Sequence, residues 1–70
     1  MSFVVPASEA IKSTLMMCRE ESDFTIAEHA IIELLSVFYM TDEEITEALN
    51  LASGNSAIED ECIDRMISNL

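Results

Sequence analysis

Apolar residues recur at intervals of three and four along most of this chain, the spacing that lines up one face of an α-helix. In the first run Ala7, Ala10, Ile11, Thr14, Leu15 and Cys18 share one side, with Ser8, Glu9, Lys12, Arg19 and Glu20 on the other. In the third, Ile45, Ala48, Leu49 and Ala52 are expected inward and Asp42, Glu43 and Glu47 outward. The fourth has a wider band of Ile58, Cys62, Ile63, Met66, Ile67 and Leu70. The second run differs. Phe24, Ala27, Ile31, Leu34, Leu35 and Phe38 form one face, yet Ile26, Ala30, Ile32, Val37 and Tyr39 spread around much of the rest, leaving a thin polar stripe of Thr25, His29, Glu33 and Ser36. A helix apolar nearly all round is expected to be covered on most sides, as the central element of the fold or in a dimer interface.

The punctuation between the runs agrees with helices. Thr25 with Glu28, Thr41 with Glu44 and Ser56 with Glu59 each place a hydroxyl three residues before a carboxylate, so that each side chain satisfies a free backbone amide at a helix start. Met40 before the middle cap and Ile45 after it are spaced to meet as a hydrophobic staple, which predicts a sharp corner near Thr41. Ser53-Gly54-Asn55 is a helix stop, because Gly54 takes the left-handed conformation at low cost, and Pro6 suits a first turn where its missing amide is harmless. These signals predict helix one from about Pro6 to Glu21, helix two from about Ile26 to Met40, helix three from about Asp42 to Ser53 and helix four from about Ala57 to Asn69. Connections of two to four residues make neighbours pack together, so the expected fold is all-α, a compact bundle of four short helices joined by tight turns.

Length and composition narrow the picture. Seventy residues hold one core, so residues 1–70 are expected to form a single helical domain. Half of the residues are hydrophobic, with one Gly and one Pro, which argues against both disorder and a turn-rich β fold. Fourteen acidic residues against three basic ones give a net charge of −11, which repels nucleic-acid backbones and anionic membranes alike. Cys18 and Cys62 come without further thiols for a metal set, no stretch is long enough to span a membrane, and no signal peptide is evident, so a cytoplasmic location with reduced thiols is expected.

Little of the sequence points to catalysis or cofactors. His29 and Glu33 stand one helical turn apart, but two side chains fall short of a metal's three or four ligands and read first as a solvated pair. No signature links the single His to a Ser or Cys nucleophile, and no Gly-rich loop cradles a phosphate, so neither an enzyme nor a cofactor is expected. The calcium-loop order of acids is missing too. A helix, a corner and a second helix across Thr41 have the outline of a DNA-reading helix-turn-helix, but Glu43, Glu44 and Glu47 would face the phosphates.

The carboxylates are the most informative feature. Asp42, Glu43, Glu44 and Glu47 cluster at the start of helix three, and Glu59, Asp60, Glu61 and Asp64 at the start of helix four, with Arg65 the sole basic residue after position 40. Acids near a helix N-terminus are stabilised by its dipole, which accounts for part of this but not for the scarcity of Lys and Arg. Two readings stay open. In one, the acids dock on the basic surface of a nucleic-acid-handling protein, as DNA-mimicking inhibitors from phages or mobile elements do, with Met16 and the apolar N-terminal residues as a secondary contact. In the other, the charge only solubilises a structural protein that forms a homodimer through surplus apolar surface of helices two and four.

Overall fold

Two of the helices begin where a side chain caps their free amides. The computed structural model describes residues 3–18 and 25–70, and within them lie α1 (Val4–Met17), α2 (Thr25–Val37), α3 (Asp42–Leu51) and α4 (Ala57–Ser68), with no strand among the described residues. At the start of α3 the expected reciprocal cap is complete: the Glu44 N–H donates to the Thr41 hydroxyl at 3.2 Å, and the Thr41 N–H donates to Glu44 Oε1 at 3.0 Å. At α4 the Glu59 N–H donates to Ser56 Oγ at 3.2 Å, while that hydroxyl donates onward to Glu59 Oε2 at 2.9 Å. The third predicted pair, Thr25 with Glu28, stands where α2 enters the described residues, and the Glu28 carboxylate reaches across to Arg65 of α4 at 2.6 Å.

Helix one starts two residues earlier than the sequence suggests, since Phe3 accepts the first helical bond from the Ala7 N–H at 2.9 Å and Pro6 sits within the first turn. It ends at Met17 with Cys18 as its cap; the predicted extension through Glu21, and Phe24 of the predicted second face, lie outside the described residues. Helices two to four end one to three residues short of expectation. The α2–α3 corner occupies 38–41 and the α3–α4 connection 52–56, one residue longer than the tight limit predicted.

The core is shared by all four helices: Val4, Ala7, Ile11 and Leu15 from α1, Ala27, Ile31 and Leu35 from α2, Ala48 and Leu49 from α3 with Ala52 just beyond it, and Cys62, Ile63 and Met66 from α4. Burying each Leu or Ile fully contributes about 1.5 to 3 kcal/mol, so Ile11, Leu15, Ile31, Leu49 and Ile63 are the main apolar anchors. The Cα radius of gyration, 10.9 Å, matches the ~11 Å of a well-folded chain of this length. Phe3 meets the residue just beyond α2, its ring centroid 5.4 Å from that of Phe38.

Helix two is not the central element. Helix one packs on both α3 and α2, and α3 on α4, whereas α2 buries only Ala27, Ile31 and Leu35 fully. With one small core the bundle has too few neighbours to cover a helix on every side, and Ile26, Ala30, Ile32, Val37 and Tyr39 stay exposed. Two smaller departures occur elsewhere. Ser8, expected outside, is buried, its hydroxyl donating to the Val5 carbonyl at 2.7 Å so that the inward turn leaves no donor unmet. Ile58 and Leu70, expected in the buried band of α4, are exposed. Among the described residues no helix is long and apolar enough to cross a membrane.

Candidate functional site

Two kinds of surface emerge, one charged and one apolar. The eight clustered acids do not act alike. Asp42, Glu43 and Glu47 on α3 and Glu61 and Asp64 on α4 are exposed. Glu44 is half-buried and held by its cap, and Asp60 is half-buried and accepts the Gly54 N–H at 2.8 Å. Glu59 is buried at 3% exposure, its carboxylate taking the Ser56 hydroxyl, so it belongs to the interior of the α4 start rather than to a docking surface. The two clusters also begin a helix apart, since the ten residues of α3 span about 15 Å. Arg65, the one basic side chain on these helices, is engaged by Glu28. Met16 is exposed on α1, as its polar-side position predicts, and Met17 beside it is more so. Of the apolar N-terminal residues, Val4 is buried and Val5 is exposed.

The apolar surface lies between α2, α3 and the end of α4. Two adjoining hollows of about 300 Å³ and 240 Å³ share Ile32, Leu35, Ile45 and Leu70. One runs on to Tyr39 and Met40, the other to Glu28 and Met66, so together they make a single trough alongside α2. Met40 and Ile45, the predicted staple, both line it and both pack partly on the core. Helical geometry divides α2 into three strips: the buried stripe, the trough side bearing Ile32, and an outer strip of Ile26, Ala30 and Val37, with Tyr39 extending the trough from the corner beyond the helix. The polar stripe of His29, Glu33 and Ser36 separates the last two. The apolar excess of this helix was visible in the sequence, but the trough was not, because periodicity counts apolar positions without counting the neighbours available to cover them.

His29 and Glu33 are both exposed on α2, and among the described residues no three His, Cys, Asp or Glu side chains converge as a metal set. Cys62 is buried beneath Glu28 and Arg65, its Sγ 3.9 Å from Glu28 Oε1. Burial, reinforced by the Glu28 charge and opposed by Arg65, pushes its thiol above the ordinary 9.0, which suppresses the nucleophilic thiolate at neutral pH. Every buried side-chain nitrogen and oxygen among the described residues has a hydrogen-bond partner. The chain matches no protein-family model, no curated protein and no solved structure.

Proposed function

We propose that this protein works by stoichiometric binding, docking its acidic exterior on the basic, nucleic-acid-binding surface of a partner protein and so blocking or modulating it, as small inhibitors encoded by phages or mobile elements do. The observation that carries this reading is the disposition of Asp42, Glu43, Glu47, Glu61 and Asp64. All five are exposed, while the one basic residue on the same helices, Arg65, is paired with Glu28. Carboxylates so placed add to the long-range field of a chain with net charge −11, which speeds encounter with a cationic surface and weakens with salt. Of the eight acids expected from the sequence, Glu59 is buried, and this reading rests on the five that are exposed.

The test is affinity capture from cell extract at low and high salt, followed by mass spectrometry, with the native chain and with the combined Glu43→Lys, Glu47→Lys and Glu61→Lys variant. A nucleic-acid-binding protein retained at low salt by the native chain, and released by either salt or charge reversal, is the expected result. Equal capture by both chains would reject electrostatic docking. The outer strip of α2, with Ile26, Ala30 and Val37 exposed, favours a second reading as a homodimeric assembly protein. Sedimentation at micromolar concentration separates the two, since a tight dimer that captures no basic protein supports only the second.

A further inference from the structure

We propose that the trough between α2, α3 and the end of α4 is the seat of a basic amphipathic helix from the partner protein. This rests on the preceding reading, that the partner is cationic, and adds where it binds and in what form.

The trough is lined by apolar side chains apart from Glu28, Ser36 and Asn69, and further carboxylates stand beside it. Ile32 and Tyr39 line it at 58% and 94% exposure, apolar surface left wet by the bundle itself. Along α2 it runs from Glu28 to Ser36, a rise of about 12 Å, with Tyr39 and Met40 beyond the helix end, so it takes two to three turns of a second helix. A helix laid there presents side chains at i, i+4 and i+7 to the two hollows, the usual anchoring of a helix in a groove.

Charge selects the occupant. Glu28 lies in the wall but is paired with Arg65, whereas Glu33, one turn before Ser36 on the same side of α2, and Asp42, the first residue of α3 and one turn before Ile45, are exposed beside the trough. Among the described residues from Thr25 onward the one Lys or Arg is Arg65, already held by Glu28. Lys or Arg flanking the apolar face of an incoming helix would meet these carboxylates. A second copy of this chain would instead bring another −11 charges to the same place, so self-association is the poorer occupant.

The experiment uses the ¹⁵N-labelled full chain and two fluorescent probes of identical Leu and Lys content. One is ordered as an amphipathic helix, and the other is scrambled so that no apolar face forms. The ordered peptide is expected to bind roughly tenfold more tightly than the scrambled one, with amide shifts centred on Ile32, Ser36, Tyr39 and Ile45. Ile32→Gln and, independently, Tyr39→Ala are expected to remove most of that preference while Ile26→Gln leaves it intact. All three positions are exposed, and a dispersed amide spectrum checks that each variant is folded. Equal, salt-sensitive binding of both peptides with shifts on Asp42, Glu43, Glu47, Glu61 and Asp64 would overturn the trough and leave acidic docking standing. Binding of neither peptide at low salt would overturn both. Trough shifts that grow with the protein's own concentration, without peptide, would make a second copy the occupant and overturn the proposal.

Discussion

The two described corners of the bundle meet the same backbone demand in opposite ways. Between α3 and α4 the left-handed position falls to Gly54 at φ 98°, and polar groups complete the turn: the Ser53 hydroxyl donates to the Asn50 carbonyl at 2.6 Å, the Asn55 amide to the Ala52 carbonyl at 3.0 Å, and the Gly54 N–H to Asp60. Between α2 and α3 the corresponding residue is Tyr39, at φ 51° and 94% exposure. A side chain in that region costs roughly 1 to 2 kcal/mol that Gly avoids. One corner is therefore shaped for folding. The other carries strain under a large ring on the rim of the trough, the pattern expected where a residue is kept for contact rather than stability.

The sharpest way to break this contrast is to impose the same strain on both corners. Nothing lies within 4 Å of a Cβ built at Gly54, so Gly54→Ala adds backbone strain alone and should cost about 1 to 2 kcal/mol, a fall in Tm of several degrees. An unchanged Tm would show that the corner relaxes freely and that φ carries no penalty in this protein. Next in size are the caps that follow each corner. Thr41→Ala and Ser56→Ala should each lose about 1 kcal/mol in urea unfolding, because both hydroxyls accept an N–H at the start of a helix. A clearly larger loss at Ser56 would mean that losing the hydroxyl's bond to the buried Glu59 carboxylate adds to the cost of the cap. The smallest effect is the most telling. Tyr39→Gly should stabilise by about 0.5 kcal/mol, the relief of strain less the extra freedom of an unfolded Gly. Destabilisation instead would show that the ring holds the bundle together, and the comparison would fail.

How much of this was legible beforehand follows the same division. Thr41, Ser56 and Gly54 announce themselves because their roles are local: a hydroxyl three residues from an amide, a residue without Cβ. The inward faces of α1 and α3 were also readable, since Ile11, Leu15, Ala48 and Leu49 recur at helical spacing. Tyr39 gave no warning, as neither Gly nor Asn marks its left-handed turn. The inward Glu59 was hidden because an acid near a helix start suits a solvated dipole partner and a buried cap equally well. Helix two departs from the central place in the fold for a reason of size: the bundle covers it on one side, so composition describes the helix correctly while the number of neighbours within the chain does not follow from it. The trough depends on Leu70 coming back beside Ile32, a pairing across the chain that no local pattern contains.

The covered thiol of Cys62 equips the molecule with its own reporter. Cys18 is half-exposed at the end of α1, whereas Cys62 is sealed in the interior with its proton held more tightly than usual. A maleimide at neutral pH should therefore decorate the first site promptly and reach the second only during excursions in which α4 swings clear. Timed by mass spectrometry, that second, slow modification becomes a clock for transient breathing of the native fold, read without denaturant and without altering a residue.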